Sequence, residues 1–434
     1  MSRKPLRIGL IGCGTVGSGV AKLLLEDRER IEQRTGRPIE LVRIAVRRQD
    51  KPRPSFVPRS LLTTDLDRLL RDPEIHVVIE LIGGIEPARQ IIHTALSHGK
   101  DVVTANKAVL ATFGTELFRT AREHGRVIAF EASVAGGIPI VSTLAQGLAA
   151  NRILSIKAIL NGTTNYILTQ MTEAGWSYEQ ALAEAQKRGY AEADPTLDVD
   201  GSDSAHKLAI LCRIAFGSAL DWESIERRGI AHLPEADLRF AGELGYVVKL
   251  LAEAWWSDDQ LAVHVEPTLI KKTDPLADVR GVYNAIHLVG DVVGETLLYG
   301  LGAGQMPTTS AVMADLIDLA VGRAQATFES LRLWEQGRPI RRRPAETVRS
   351  RFYLRVNVQD RPGVLAQVAG VLGRRQISIA SVIQHEAFDD HEDIVVPVVI
   401  MTHSAPLAEL RGALEEINRL ACVASPSVYY PVAD

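Results

Sequence analysis

The feature that most constrains the fold is a glycine-rich turn close to the start of the chain. The apolar run from Leu6 to Ile11 leads directly into GCGTVG at 12–17, and a helical pattern follows to about Gln33. In such a strand–turn–helix, glycines allow a tight turn and a close backbone approach to a pyrophosphate, while the helix N-terminus offers unpaired N–H groups. The turn therefore predicts a dinucleotide site that includes Gly12, Gly14, Thr15, Val16 and Gly17.

Strand and helix patterns alternate from this turn to the region of Phe130. Such alternation predicts an α/β fold with a parallel, doubly wound sheet of the Rossmann type, which binds its ligand at the carboxyl ends of the strands. The second predicted strand runs from Glu40 to Val46. Arg47 and Arg48 follow it, with Lys51 close by, at the position where an acidic residue would bind a ribose 2′-hydroxyl. Cations there suit the additional phosphate of NADP, and a solvated basic turn is the alternative. Lys107 follows a later strand and is expected to meet a phosphate or a substrate carboxylate, or else to cap a turn.

A second concentration of functional groups lies in the stretch from Gly189 to Lys207, which has helical patterns on both sides. Asp203 and Lys207 are four residues apart, so a helix would place them on one face. The alternative is an ordinary helix ion pair worth about 0.2–0.5 kcal/mol, beside an acidic surface loop. The carboxylates of the stretch are Glu192, Asp194, Asp198, Asp200 and Asp203.

The segment EASVAGGIP at 131–139 combines one carboxylate with an irregular loop whose carbonyls are exposed. Hard cations prefer oxygen ligands, so a bound monovalent cation and a plain interdomain hinge are both open at this point. Beyond it, helices followed by strand-rich runs predict an α+β domain with an antiparallel sheet. A second glycine turn, GLGAGQMPTTS at 300–310, is expected to return the chain to the first domain through the helix that follows.

Composition excludes several classes of protein. A formal net charge of −4 gives no reason to expect nucleic acid or an anionic membrane as a partner. No apolar run approaches the roughly 20 residues that span a bilayer, and the N-terminus reads as a strand rather than a signal peptide. Cys13, Cys212 and Cys422 lie too far apart in sequence for a metal motif or a disulfide framework. We therefore expect a cytoplasmic enzyme or sensor.

Several long motifs in the same order resemble the homoserine dehydrogenase family, and the resemblance covers essentially the whole chain. The motifs are GLIGCGTVGSGV, TANKAVL, EASVAGGIP, ILNGTTNYIL, GYAEADPTLDVDGSDSAHKLAIL and GAGQMPTTSAVMADL. The resemblance implies reversible hydride transfer between L-homoserine and L-aspartate 4-semialdehyde, in the biosynthesis of threonine, methionine and isoleucine. It also implies NADP(H) as cofactor, with NAD(H) as the alternative, and a homodimer or homotetramer.

The resemblance further implies a role for individual residues. Lys207 matches the proton-donating lysine, and Glu192 and Asp203 match acidic residues that bind the amino acid. Lys107 matches the lysine at the junction of cofactor and substrate. The remaining matches are glycines lining the nucleotide, Gly189 and Gly304, and a sodium site at Glu131, Val134, Gly136 and Ile138.

The C-terminal part of the chain predicts a separate module. Residues 331–350 are rich in Arg and Pro and read as a linker, since no basic domain accompanies them to suggest nucleic acid. From 351 the βαββα order predicts a ferredoxin-like fold, and DRPGVLAQVAGVLG and ISIASVIQ resemble an ACT domain. This implies an amino-acid effector, normally L-threonine, at Asp360, Gly363 and Val364. A dimerisation module without ligand is the alternative.

The predicted domains are therefore an NADP-binding domain at 1–132, completed by 305–330, and a catalytic and dimerisation domain at 133–304. The linker at 331–350 and the ACT domain at 351–434 follow. Two other functions remain open from the residues alone. An acylating aldehyde dehydrogenase needs a cysteine nucleophile, and none of the three cysteines is well placed for it. A non-catalytic amino-acid sensor does not explain the lysine and carboxylate groups of the 189–207 stretch.

Overall fold

The computed structural model describes residues 4–332, 334, 340–385 and 395–433. The chain divides into two compact units. The first comprises 1–162, 203–225 and 282–340, and the second comprises 163–202, 226–281 and 341–434. In the described residues, no helix is both long and apolar enough to cross a membrane.

Strands and helices follow in chain order. The strands are β1 (Leu6–Ile11), β2 (Ile39–Ala45), β3 (Leu62–Thr63), β4 (Val77–Glu80), β5 (Asp101–Thr104), β6 (Ile128–Ala129), β7 (Ile153–Ile159), β8 (Glu226–Arg227), β9 (Tyr246–Ser257), β10 (Gln260–Lys271), β11 (Tyr283–Gly290), β12 (Gly294–Leu301), β13 (Arg349–Gln359), β14 (Ile379–Gln384), β15 (Val395–Thr402), β16 (Ala405–Pro406) and β17 (Val423–Ala433). The α-helices are α1 (Thr15–Glu26), α2 (Arg28–Thr35), α3 (Leu66–Arg71), α4 (Ala88–Ser97), α5 (Lys107–Glu123), α6 (Ile140–Ser142), α7 (Gly162–Glu173), α8 (Tyr178–Lys187), α9 (Thr196–Val199), α10 (Ser202–Phe216), α11 (Glu235–Glu243), α12 (Gln305–Val321), α13 (Arg323–Leu331), α14 (Val364–Arg374) and α15 (Leu407–Ile417).

The first unit is built on a parallel sheet with the order β3-β2-β1-β4-β5-β6. All four residues of β4 are buried, as expected for a strand that is covered on both faces. This sheet confirms the predicted Rossmann-type fold. The predicted single helix after the glycine turn is instead two helices, α1 and α2. They meet at Asp27, whose φ of −105° and ψ of 23° depart from helical values.

Helix α12 joins the core of this parallel sheet although it lies far along the chain. Its buried apolar residues belong to the same cluster as those of β1, β2 and α1. They pack against residues such as Leu10, Val20 and Ile44, which are fully buried. The α12 members of the cluster are Ala311, Val312, Met313, Leu316 and Ala320.

The first unit also contains antiparallel pairing of β11 with β7 and of β11 with β12. Ala285 on β11 lies opposite Ile159 on β7 and opposite Tyr299 on β12. The carboxyl end of β7 runs into Leu160 and Asn161, immediately before α7. These two residues become important at the site described below.

The second unit contains the long antiparallel pair β9–β10 and the C-terminal module. In that module the sheet order is β17-β13-β15-β14, and α14 and α15 contribute buried residues to its core. Strand β17 also pairs in parallel with the end of β10, where Leu269 lies opposite Val432. The βαββα order and the final strand confirm the predicted ACT-type, ferredoxin-like fold.

The predicted linker at 331–350 is only partly described, since 333 and 335–339 lie outside the described residues. Within it, Trp334 is buried and stacks on Phe118, with 4.3 Å between ring centroids. Further on, Arg341 and Arg343 exchange backbone hydrogen bonds with Leu261, and Arg349 begins β13. The described part of the segment is therefore packed rather than loosely extended.

Candidate active site

A buried carboxylate lies between two lysines in the first unit. The Lys207 Nζ lies 2.7 Å from Asp203 Oδ2, and the Lys107 Nζ lies 2.8 Å from Asp203 Oδ1. Asp203 and Lys207 are four residues apart on α10, so helix geometry alone brings them together. Lys107 begins α5, and the fold of the first unit delivers it to the same carboxylate.

The backbone at the end of β7 completes the cluster. The Lys207 Nζ donates to the carbonyl of Leu160 at 2.6 Å, and the Asn161 Nδ2 donates to Asp203 Oδ2 at 2.8 Å. Together these bonds fix both the lysine tip and the carboxylate plane. Leu160 and Asn161, which directly follow β7, thus hold Lys207 and Asp203 respectively.

The three charged side chains differ in their contact with solvent. The side chains of Asp203 and Lys207 are 5% and 10% exposed, whereas that of Lys107 is 40% exposed. Lys107 is therefore the cation of the cluster that an incoming ligand can reach with least displacement. Lys207 is held deeper, where its charge is less screened by water.

Electrostatics in the cluster favour the charged forms. Burial by itself raises the pKa of the Asp203 carboxyl, but the attraction of Lys207 and Lys107 and their hydrogen bonds outweigh it. The pKa of Asp203 is consequently held below its usual range. The site thus presents an ionised carboxylate with a lysine Nζ within 2.8 Å of each of its oxygens.

A cavity of about 740 Å³ opens at the glycine turn of the parallel sheet. Its walls include Gly12, Gly14, Arg47, Arg48 and Lys51. This arrangement puts the predicted phosphate-binding turn and the predicted ribose-reading cations in one cavity. Arg48 also pairs with Asp50 at 3.1 Å, and both of these side chains are exposed.

Gly14 and Gly17 differ in the space around the position of a Cβ atom. A Cβ on Gly17 would lie 2.1 Å from the Gly12 carbonyl oxygen, so only glycine lets the helix start this close to the strand. A Cβ on Gly14 would meet no atom of the described residues within 4 Å. The space beside Gly14 is what a backbone approach to a pyrophosphate requires, so the residues present fit a dinucleotide.

The second glycine turn lies against the first, as the sequence predicted. Gly304 has a positive φ of 124° and immediately precedes α12. The Gln305 Nε2 then donates to the Thr15 carbonyl at 2.8 Å and to Ser18 Oγ at 3.0 Å. Gly304 therefore stands beside the start of α1, where Thr15 and Val16 form the first helical turn.

The predicted cation loop is tied to the same glycine turn through its amides. The N–H groups of Gly136 and Gly137 donate to the carbonyls of Gly302 and Leu301. In the described part of the chain, the carbonyls of Val134 and Gly136 accept no backbone hydrogen bond, whereas that of Ile138 accepts from Ile140. The carbonyls of Val134 and Gly136 therefore suit a cation with oxygen ligands.

The Glu131 carboxylate is used at the other side of this loop. It accepts from the N–H groups of Val141 and Ser142, at 2.8 Å each, at the start of α6. No group of three or more His, Cys, Asp or Glu side chains suited to a metal occurs among the described residues. A cation at this loop would therefore depend on backbone carbonyls.

Two predicted site residues, Gly189 and Glu192, belong to the second unit. Gly189 follows α8 with a φ of 73°, a conformation that favours glycine. The carbonyl of Glu192 accepts from Gln186 Nε2 at 3.1 Å, so the backbone that carries this carboxylate is held by the preceding helix.

The predicted effector residues lie at the start of α14, also in the second unit. Gly363 has a φ of 87° and precedes Val364, the first residue of the helix. The carboxylate of Asp360 accepts from Gln384 Nε2 at 3.3 Å. The turn thus joins the end of β13 to α14, as the sequence predicted.

Two contributors to these sites were missed at the level of sequence. Asn161 was noticed only as part of a motif, although it holds Asp203. Arg53 donates to the Cys13 carbonyl at 2.7 Å and so braces the glycine turn. Asn161 stands between the end of β7 and the start of α7, a position that the sequence pattern signals, whereas nothing in the sequence links Arg53 to Cys13.

Comparisons with known proteins agree with this geometry. Family models match for the homoserine dehydrogenase NAD-binding domain over 12–131, homoserine dehydrogenase over 139–317 and the ACT domain over 352–422. A homoserine dehydrogenase of Pseudomonas aeruginosa is 43% identical over 434 residues, which cover 98% of each chain. The crystal structure of a homoserine dehydrogenase from Thiobacillus denitrificans matches with a TM-score of 0.94 at 41% identity, over 100% of both chains. A hyperthermophilic archaeal homoserine dehydrogenase in complex with NADPH matches with a TM-score of 0.63 at 27% identity, over 73% of this chain and 98% of that one.

Proposed function

The chain belongs to the homoserine dehydrogenase family, and we propose that it interconverts L-homoserine and L-aspartate 4-semialdehyde with NADP(H), using Lys207 as the proton donor and acceptor. As a member of this family it is an oxidoreductase of amino-acid biosynthesis with an NAD-binding domain and an ACT domain. The observation that carries the proposal is the buried Lys207–Asp203–Lys107 cluster. The finer assignments below rest on that cluster and on the cavity at the glycine turn.

Lys207 has the properties that aldehyde reduction requires of an acid. Reduction builds negative charge on the aldehyde oxygen, and an ammonium group stabilises this charge before it transfers a proton. Asp203 favours the ammonium form, and the Leu160 carbonyl directs its tip. In the oxidative direction the neutral amine accepts the hydroxyl proton, and Asp203 stabilises the ammonium that results.

The other charged groups are assigned to substrate binding. By resemblance, Asp203 and Glu192 are assigned to the substrate ammonium. The more exposed Lys107 suits the substrate carboxylate. Lys107 would exchange part of its contact with Asp203 for the ligand. Binding an amino acid by both charged ends orients its side-chain carbonyl, which is the part that reacts.

The cavity at the glycine turn supports NADP(H) as the cofactor. When bound, this cofactor supplies or accepts the hydride, while the protein supplies orientation. Gly12 and Gly14 would let the backbone approach the pyrophosphate at the start of α1, and Gly17 would let that helix start close to the strand. Arg47 and Arg48 would bind the 2′-phosphate. Gly189 and Gly304 are assigned to the nucleotide by resemblance, and NAD(H) is kept as the alternative to NADP(H).

A monovalent cation, by resemblance sodium, is proposed at the loop residues Glu131, Val134, Gly136 and Ile138. The carbonyls of Val134 and Gly136 support this proposal, because among the described residues they accept no backbone hydrogen bond. The role of the cation would be structural, because this loop hydrogen bonds to the 301–302 backbone that leads into Gly304. Bound there, the cation would keep the second glycine turn in place. We further propose cytoplasmic location, a homodimer or homotetramer, and operation in threonine, methionine and isoleucine biosynthesis.

The ACT module is proposed to bind an amino-acid effector, L-threonine, at Asp360, Gly363 and Val364. The domain boundaries follow from the same assignments: 1–132 with 305–330 for the cofactor, 133–304 for the substrate and dimerisation, and 351–434 for regulation. A rival cysteine mechanism has little support, because Cys13 is buried and burial raises the pKa of its thiol.

The decisive experiment is replacement of Lys207 by alanine. Acid catalysis contributes about 10²–10⁴ in rate, so turnover should fall by at least that order while NADPH affinity, measured by fluorescence titration, stays near wild type. Lys187→Ala is the matched control, because Lys187 is 80% exposed and pairs only loosely, at 3.6 Å, with Glu184. Wild-type turnover in the Lys207 variant would remove this lysine from the mechanism.

A further inference from the structure

Arg228 connects the ACT module to the middle of the chain within the second unit. Its Nη1 donates to the carbonyl of Tyr429 on β17 at 2.8 Å, and its Nη2 pairs with Glu266 on β10 at 2.9 Å. The guanidinium also lies over the Tyr429 and Tyr430 rings, 4.7 and 4.9 Å from their centroids. A planar cation held by a carbonyl, a carboxylate and two rings has little freedom to move independently of β17.

The backbone on either side of this guanidinium is equally constrained. The Arg228 N–H donates to the Val265 carbonyl at 2.8 Å, and the Ile230 N–H donates to the Val199 carbonyl at 2.9 Å. Between them, a Cβ on Gly229 would lie 2.0 Å from that same Val199 oxygen. The chain at 228–230 thus presses directly on the end of α9, with no side chain between to absorb a displacement.

The backbone at 199–201, which the 228–230 backbone contacts, lies between two proposed substrate contacts, Glu192 and Asp203. Helix α9 begins four residues after Glu192, and Ser202 directly precedes Asp203 in the chain. Gly201, with a φ of 88°, lies against the side chain of Val265 and the carbonyl of Arg228. A shift of the 228–230 backbone therefore acts on the stretch that joins Glu192 to Asp203.

On the other side, the contact leads to the proposed effector turn. Tyr429 on β17 lies opposite Leu354 on β13, and β13 ends at Gln359, immediately before Asp360. The β13–β17 ladder is irregular beyond Arg355, but β13 pairs with β15 without a register shift from Tyr353 to Gln359. That continuous pairing lets β13 move as one element, because its hydrogen bonds resist slipping. Arg228 is the point at which the β13–β17 ladder meets the backbone of 199–201.

We infer that Arg228 is a positioning residue that couples the ACT module to the substrate-binding stretch at 192–203. In this role, occupation of the effector turn displaces β17, and Arg228 transfers the displacement through Gly229 to Val199. The effect falls on binding of the amino-acid substrate rather than on the cofactor. The inference rests on the proposed effector role of the ACT module, and the experiment separates the two.

The experiment uses the full-length enzyme with Arg228→Gln, which keeps a polar side chain but removes the charge and the fork. Arg411→Gln is the matched control. Arg411, on α15 of the ACT module, donates to the Tyr429 hydroxyl and pairs with Glu226 on β8, but it is not next to Gly229 in the chain. Each protein is assayed for homoserine KM, cofactor KM, kcat, threonine inhibition and threonine binding by calorimetry. Thermal unfolding confirms that the variants are folded.

The expected result is that Arg228→Gln still binds threonine with wild-type affinity but needs at least about fivefold more threonine for half-inhibition, the lower end of typical allosteric coupling. Its homoserine KM should rise severalfold, with kcat and cofactor KM near wild type, and Arg411→Gln should resemble wild type in both respects. A merely structural role would lower thermal stability without separating threonine binding from inhibition. Arg228→Lys, which retains the charge, should recover part of the response.

Two results overturn the inference: wild-type inhibition and wild-type homoserine KM in Arg228→Gln, or the same losses in Arg411→Gln. If threonine neither binds nor inhibits the wild-type enzyme, the proposed effector role fails instead. In that case the homoserine KM of the two variants alone decides whether Arg228 positions the substrate-binding stretch.

Discussion

Replacing Asp203 by asparagine should move the alkaline limit of aldehyde reduction to lower pH. Reduction requires the protonated form of Lys207, so its rate falls as the pH rises through the pKa of this lysine. The carboxylate 2.7 Å from Nζ favours the protonated form. Asparagine keeps the size of the side chain but removes the charge, so the pKa of Lys207 should fall and the limit should move with it.

The magnitude follows from the geometry. A hydrogen bond between charged groups is worth about 1.5–3 kcal/mol, and 1.36 kcal/mol corresponds to about one pKa unit, which gives a displacement of about 1–2 pH units. Repulsion from Lys107 adds to it, but this side chain is 40% exposed and largely screened by solvent. The Leu160 carbonyl still holds the lysine tip, which limits the change.

The assay is kcat/KM for aspartate 4-semialdehyde, followed by NADPH absorbance across the neutral and alkaline range. Loss of a substrate contact lowers the whole profile without moving its limb, so the height and position of the curve report separate roles. Asp200→Asn is the control, because the Asp200 carboxylate instead accepts from the backbone and hydroxyl of Ser202. An alkaline limb at the wild-type position in a folded Asp203→Asn enzyme would refute the reasoning.

Other predictions follow from single contacts. Gly14→Ala should keep the wild-type melting temperature but weaken NADPH binding in a fluorescence titration, because its Cβ would meet no atom of the described part of the chain within 4 Å. Gly17→Ala should lower the melting temperature, because its Cβ would lie 2.1 Å from a carbonyl oxygen. Arg47→Glu should lower kcat/KM with NADP at least about tenfold, the equivalent of one charged hydrogen bond, and change the value with NAD little in parallel initial-rate assays. Burial lowers the pKa of Lys249 to about 8 from 10.5, so the folded state loses this proton before the unfolded state does. Denaturant unfolding should therefore show wild type gaining stability over Lys249→Met as the pH rises from about 8 to 10.5, by at most about 3 kcal/mol.

The parts of the site that sequence could predict are those set by local geometry. The glycine turn is a contiguous pattern, and the spacing of Asp203 and Lys207 places them on one helix face whatever the tertiary fold. The alternation of strands and helices likewise determined the parallel sheet. Each of these inferences needs only a few consecutive residues and the period of the element they form.

The remaining contacts depend on tertiary packing, which periodicity does not reveal. Lys107 meets Asp203 because α5 and α10 converge in the first unit, and Asn161 meets it because β7 ends there. The break between α1 and α2 at Asp27 was also missed, since the polar pattern continues through it. In the same way, the Arg and Pro content around Trp334 suggested a linker, but the indole itself packs on Phe118.

The position of α12 in the core of the first sheet has a consequence for synthesis on the ribosome. The strands and helices of the parallel sheet emerge first, but Val312 and Leu316, which close their core, lie nearly two hundred residues further on. At about 5–20 residues per second, this leaves the nascent apolar surface uncovered for roughly 10–40 s. The amino-terminal domain is therefore expected to be a client of ribosome-associated chaperones, and a fragment that stops before α12 should be recovered as aggregate.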